Sequence, residues 1–205
     1  MVKTRRRTEH AQDTRAALLD AAERLFTRPG YATTTLDDVA ENARVTKGAV
    51  YHHFDSKPAL FGAVVERLYQ RLVDDLARTG IDHHSTTDGD LWDGVCATYQ
   101  ARLDLVCADD AFQRILDQDA IAILGPDALN EIAQATVNAA LVPVLEEAIA
   151  TGLVEPMSAD TLATLMGALI SAAGREIAAT DDIPKARLDV GQALDVFLQG
   201  LRRRA

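Results

Sequence analysis

The sequence predicts an all-α protein of about nine helices, and three observations carry that prediction. Apolar residues recur at three- and four-residue spacing from one end of the 205-residue chain to the other. The strict alternation of a half-buried strand is missing, and Gly- and Pro-containing breaks separate the periodic segments. Composition agrees: 48% apolar and 25% charged residues are ordinary for a globular chain, and Ala and Leu with few β-branched runs favour helix. A chain of this length can bury a core without disulfide staples.

The first helix is expected from about Thr14 to Thr27, with Leu18, Ala22, Leu25 and Phe26 on one face and Pro29-Gly30 as its stop. A short second helix, about Leu36 to Asn42, is entered through Thr33-Thr34-Thr35, where Thr35 caps and Asp38 stands three residues on. The third, about Lys47 to His53, follows Ala43-Arg44-Val45 with Thr46 as its N-cap. So short a connection forces these two helices to cross steeply. The fourth starts after Asp55-Ser56-Lys57, tolerates Pro58 in its first turn, and keeps helical spacing from Leu60 through Leu76. Gly80 to Gly89 reads as a loop. Five more helices follow at about Asp90 to Ala108, Ala111 to Leu124, Asp127 to Thr151, Ala159 to Thr180 and Lys185 to Arg203, with Pro143 expected to kink or split the seventh.

The informative stretch is GYATTTLDDVAENARVTKGAVYHHFDSKPAL, Gly30 to Leu60. An aromatic after a glycine (Gly30, Tyr31), a Thr pair (Thr34, Thr35), Ala40, Ala43, Thr46-Lys47-Gly48, Tyr51, His53, Phe54, Lys57 and Leu60 stand in fixed order. This resembles the signature of the TetR family. The resemblance implies a helix-turn-helix DNA-binding head, an effector-binding body, dimerisation through the last two helices and control of transcription. It divides the chain into a DNA-binding domain over 1–57, with a basic N-terminal arm, and an effector-binding and dimerisation domain over 58–205. Arg44 departs from the family, where Gly is frequent. Either the turn avoids positive φ, or Arg44 accepts strain and gains a phosphate contact. Pro58 replaces a frequent Glu and alters only local capping.

Phosphates call for cations, hydroxyls and helix N-termini, and base edges call for small residues that admit a helix to the major groove. The third helix offers both. Gly48 and Ala49 leave room for close approach, Lys47 can reach a guanine edge or a phosphate, and Thr46 presents a hydroxyl. Tyr51, His52 and Lys57 match family positions that touch the backbone. Thr34 and Thr35 can cap, contact DNA or do both, and Arg44 completes the expected surface. Val50 and Phe54 are expected in the core. Arg5, Arg6 and Arg7 form either a minor-groove arm or a solvated tail.

Charge divides along the same line. Residues 1–60 carry ten Lys/Arg against eight Asp/Glu, a net +2, leaving eleven against 23, a net -12, for the remainder of a chain whose total is -10. An acidic body repels polyanions, so DNA binding is confined to the head. Cys96 and Cys107 are expected on one helix, roughly 16 Å apart, too far to bridge, which points to a reduced, cytoplasmic protein. The N-terminus has no apolar segment behind its basic residues. The longest apolar stretch, around Leu165 to Ala173, falls short of a membrane span.

In the body, the family resemblance puts a pocket among helices four to eight, with Trp92, Tyr99, Arg102, Phe112, Gln113, Asp117 and Asn138 as candidate ligand contacts, since a mainly apolar site needs a few polar groups to orient its guest. The stripes Leu162, Leu165, Met166, Leu169, Ile170, Ala173, Ile177 and Leu188, Gly191, Leu194, Val196, Phe197, Leu198, Leu201 exceed what one intramolecular contact needs. They fit a C2 homodimer that presents two heads to a palindromic operator on double-stranded DNA. No cofactor and no metal site are expected: Asp82, His83 and His84 form no ligand set. No nucleophile, base and orienting group stand at usable spacing, so an enzyme is not expected. A regulator controlled by a protein partner, with no small effector, is the alternative.

Overall fold

The computed structural model describes residues 2–78 and 90–203 of the chain, and the expected loop with Asp82, His83 and His84 lies outside them. Among the described residues there are eight helical runs: α1 (Val2–Leu25), α2 (Leu36–Asn42), α3 (Lys47–His53), α4 (Lys57–Arg78), α5 (Leu91–Ala108), α6 (Phe112–Ala150, kinked at Gly125), α7 (Ala159–Ala178) and α8 (Ile183–Gly200). The fold is all-α, with one isolated antiparallel bridge, Val154 to Arg202, tying the turn before α7 to the chain after α8.

The structure departs from the sequence reading in two places, the start of α1 and the helix around Pro143. Helix α1 begins at Val2, not near Thr14, so the backbone at Arg5, Arg6 and Arg7 is helical and not an irregular tail. The sequence of its first turns is mostly polar, so apolar period alone does not reveal them. The break expected between the sixth and seventh helices is present: Gly125, with φ of 79° and ψ of 165°, leaves the helical region, so α6 consists of two helical arms that meet there at a kink. Glycine adopts that backbone without the Cβ penalty other residues face. Pro143 neither splits nor interrupts the run. The whole run Phe112–Ala150 is long and apolar enough to cross a membrane by length and composition only. It is bent at Gly125, however, and carries the buried Asp117.

The capping residues set the head. Thr35 accepts from the Asp38 amide while the Asp38 carboxylate accepts from the Thr35 amide, a reciprocal box that fixes the start of α2. Thr46 accepts from the Ala49 amide at 3.2 Å and starts α3. The Ser56 hydroxyl accepts from Ala59 and starts α4. In the body, Asp90 caps α5 through the Trp92 and Asp93 amides.

Two cores hold these helices together. The first joins Leu18, Ala22 and Phe26 to Val39, Val50, Phe54 and the α4 stripe Leu60, Phe61, Val64, Val65 and Leu68, and extends to Phe112, Ile115 and Leu116 of α6. The second joins Trp92, Tyr99 and Leu103 of α5 to Leu145 of α6, Met166 and Ile177 of α7, and Leu194 and Leu198 of α8. Each fully buried side chain of this size contributes roughly 1.5–3 kcal/mol. Helix α4 and the first arm of α6 thereby share one core with the head.

Candidate nucleic-acid interface and buried polar centre

Helix α3 is anchored from inside. Val50 is wholly buried and Phe54 nearly so, while Thr46, Lys47, Gly48, Tyr51 and His52 face outward and Ala49 is half-buried. A Cβ added at Gly48 would meet nothing nearer than the Thr46 hydroxyl at 3.9 Å. No neighbour within the chain therefore requires glycine there. Lys47 Nζ donates to Asp37 Oδ2 at 2.8 Å across the turn, which raises the Lys47 pKa. Arg44 adopts φ 57°, the strained left-handed backbone, with its side chain in solvent. Lys57 lies over the Tyr31 ring at 4.0 Å from its centroid, a cation–π contact that orients it beside α2. His53, behind His52, has its pKa lowered by burial and by the neighbouring His52 and Arg15.

Thr34 does not join this surface. It is 2% exposed, and its hydroxyl lies 3.1 Å and 2.9 Å from the Leu25 and Gly30 carbonyls, so it ties the end of α1 to the start of the turn and has no reach to a phosphate. Thr35 stays exposed, with its hydroxyl donating to Asp38 as part of the cap.

In the body the structure brings together Arg102, Asp117 and Phe112. Arg102 Nη2 stands 3.4 Å from Asp117 Oδ1, with the two side chains 6% and 1% exposed. Burial pushes the Asp117 carboxyl up to about 6, against the opposing pull of Arg102 and then Arg175. Arg102 Nη1 and Asp117 Oδ2 are buried with no hydrogen-bond partner. Pairs left half satisfied in a low dielectric are costly, which marks this centre as the chemically unsettled part of the core. Phe112 and Asp117 both sit on a wide-turned stretch of α6, Phe112–Asp119, of the kind that often accompanies function.

Several residues of this centre carried no signal in the sequence. The Tyr69 phenol is raised by burial, with Arg102 and Asp117 acting on it in opposite directions. Gly174 of α7 packs so closely that an added Cβ would stand 2.6 Å from the Asp117 carboxyl carbon. Of the other candidate ligand contacts, Tyr99 is buried near Arg102 and its phenol is pushed up by that burial. The Trp92 indole N–H is committed to the Leu198 carbonyl at 3.1 Å, so this residue fastens α5 to α8. Gln113 is half-buried and Asn138 buried. Both cysteines are free; burial pushes the Cys96 thiol up to about 11, which makes it a poor nucleophile at neutral pH. Among the described residues no group of His, Cys, Asp or Glu side chains is placed to hold a metal ion.

With this geometry in hand, the relatives are informative. Residues 18–64 match the family model for bacterial regulatory proteins of the tetR family, and residues 92–201 match the tetracyclin repressor-like C-terminal domain. A TetR-family transcriptional regulator of known structure from Pectobacterium atrosepticum is 30% identical, with a TM-score of 0.76 over 96% of this chain and 97% of that one. The chain belongs to the TetR family. Its head is also 50% identical over 66 residues to the HTH-type transcriptional regulator TtgR of Pseudomonas putida, which covers 32% of this chain and 31% of TtgR. With AcrR of Shigella flexneri the identity is 44% over 62 residues, 30% of this chain and 29% of that protein. The matched part thus spans about a third of the length of these curated relatives.

In this TetR-family chain the apolar stripes of α7 and α8 divide into two faces. Leu162, Met166, Ile170 and Leu194 are buried in the second core of their own protomer and are not free for another copy. Leu169 and Leu201 are half-buried. Leu165 and Phe197 are each 63% exposed, as are Leu188 at 64% and Val196 at 74%. Helical period alone located the apolar residues but could not apportion them between the inner and outer faces.

Proposed function

We propose that this chain is a DNA-binding transcriptional regulator, a repressor that sits as a homodimer on a palindromic operator and leaves it when a small effector enters the body. The observation that carries the reading is the outward turn of α3, where Lys47, Gly48, Ala49 and Tyr51 stand over a buried Val50 and Phe54 with open space above Gly48. A helix built to lie against something external keeps small residues on that side and anchors itself from within.

The division of labour follows. Residues 1–57 read DNA through Thr35, Arg44, Thr46, Lys47, Gly48, Ala49, Tyr51, His52 and Lys57, and residues 58–205 bind the effector and dimerise. Leu165, Leu188, Val196 and Phe197, exposed on α7 and α8, supply apolar side chains to the dimer face, because an isologous interface buries exposed apolar surface of this kind. Arg102, Asp117, Phe112 and Tyr99 orient the effector. The family's regulators support this reading over an enzyme, and a protein that acts on chromosomal DNA works in the cytoplasm of its cell.

The experiment is selection of bound fragments from sheared genomic DNA at low salt. Retention of a palindromic fragment with steeply salt-dependent affinity is the expected result. Failure to retain any fragment would sink the reading.

A further inference from the structure

The buried pair is linked to the first helix by a continuous line of side chains. The guanidinium of Arg102 lies over the Phe112 ring at 5.5 Å, and that of Arg71, from α4, lies over the same ring at 4.9 Å. Phe112 is 1% exposed, so its ring is held on every side. Beyond it, Arg71 Nη1 donates to Glu23 Oε1 at 2.7 Å and Nη2 to Asp109 Oδ2 at 2.9 Å. Glu23 belongs to α1, the helix on which α2 and α3 pack. Its other oxygen accepts from Arg67 Nη2 at 2.6 Å, and Arg67 Nη1 donates to Asp20 at 2.6 Å.

We propose that Phe112 and Arg71 form the link through which a change at the Arg102–Asp117 pair reaches Glu23, and so the orientation of the head. The proposal rests on the reading above that the body controls DNA binding, and it names the route. Two cations share one aromatic quadrupole, and each is fixed at its far side by a carboxylate. Anything that pulls Arg102 away from the ring, by satisfying Nη1 or Asp117 Oδ2, changes what the ring offers Arg71. Arg71 then redistributes its hydrogen bonds between Glu23 on α1 and Asp109 beside α5. A route of this kind earns the name only by a measured coupling between its ends.

Hydrogen exchange of the full-length protein measures it without knowledge of effector or operator. Asp117→Asn removes the carboxylate charge that holds Arg102, and should change amide exchange in α1 between Asp20 and Leu25 by about threefold or more. In an Arg71→Met background the same substitution should produce no further change. Arg67→Met is the decisive control: it also loosens the head by releasing Asp20 and Glu23, but Arg67 is not on the Phe112 ring, so the effect of Asp117→Asn must persist there. If Asp117→Asn does not fold, Arg102→Lys retains the charge and loses the planar group over Phe112, and must show the same dependence on Arg71. Exchange in α1 that ignores position 117, or that responds equally with and without Arg71, overturns the link. Selection on genomic DNA is a separate measurement, so a protein that retains DNA but lacks this coupling refutes the link and leaves the regulator reading in place.

Discussion

Gly48 on α3 and Gly174 on α7 are both helical glycines, and they answer to opposite constraints. A Cβ at Gly48 would find nothing nearer than 3.9 Å, whereas one at Gly174 would stand 2.6 Å from the Asp117 carboxyl. Glycine costs a helix about 0.5–1 kcal/mol relative to alanine, so each position must return something for it. At Gly174 the return lies inside the chain, where the buried Arg102–Asp117 pair needs the space. At Gly48 nothing inside the chain needs it, and the return must come from a partner that approaches α3. A crowded glycine therefore marks a site of internal packing, and an uncrowded one on an exposed turn marks a site of external contact.

The largest effect should come from breaking the crowded site. Gly174→Ala is expected to destabilise the fold by about 3 kcal/mol, since the new methyl must displace a buried carboxylate from its place beside Arg102, and better helix propensity offsets only about 1 kcal/mol of that. The midpoint of urea unfolding should fall with an unchanged slope. An unchanged midpoint would mean that Asp117 has somewhere else to go.

The pH dependence of stability tests the same centre. Asp117 ionises at about 6 when folded, above its ordinary 3.8, so between these values the folded chain binds the proton that the unfolded chain has released. Its contribution is greatest below pH 4 and is lost as pH rises through 6, a difference of about 3 kcal/mol at most. His53 works the other way in the head: its lowered folded pKa makes the chain lose stability as pH falls below about 6.5. Unfolding of the wild type and of Asp117→Asn from pH 4 to 7 should differ by a term that rises toward acid. Parallel curves would show that Asp117 is not the group responsible.

The same contrast explains what could be read from the sequence. The head was legible because its signals are local: Thr35 and Asp38 three residues apart make a cap, and Thr46-Lys47-Gly48 opens a short helix. The buried centre was legible only in part. Arg102, Phe112 and Asp117 stand out in the sequence as polar and aromatic residues of the right region, yet nothing local shows that Arg71 and Arg102 meet on one ring, or that Gly174 lies against Asp117. These pairings join residues distant in sequence, and one chain without its fold carries no record of them. Thr34 differs from Thr35 only through packing: its hydroxyl turns inward to the Gly30 and Leu25 carbonyls, and the adjacent threonine stays exposed. Leu162 and Leu165 share a stripe, but only packing decides that one is 4% exposed and the other 63%.

Gly48→Ala should reverse the sign seen at Gly174. With open space around it and a helical backbone, the alanine is expected to stabilise the fold by about 0.5–1 kcal/mol. It should also weaken retention of the selected genomic fragment by about tenfold, which is about 1.4 kcal/mol of binding. Stabilisation without loss of retention would show that α3 does not approach DNA closely at this turn.

The smallest effect concerns how Lys47 is held. Its pair with Asp37 is more than half exposed on both sides and screened by solvent, so Asp37→Asn should leave folding stability essentially unchanged. Binding should respond more. Asp37 competes with phosphate for the same ammonium and adds a negative charge at the N-terminus of α2, where an incoming phosphate would find exposed amides. Its removal should tighten retention about threefold at low salt, with a steeper salt dependence because Lys47 is freed to displace a counterion. Lys47→Ala should abolish that gain and lower the salt slope by about one. If Asp37→Asn tightens binding equally in the absence of Lys47, then Asp37 acts by general repulsion, and the ion pair across α2 and α3 holds the lysine for no purpose that DNA can detect.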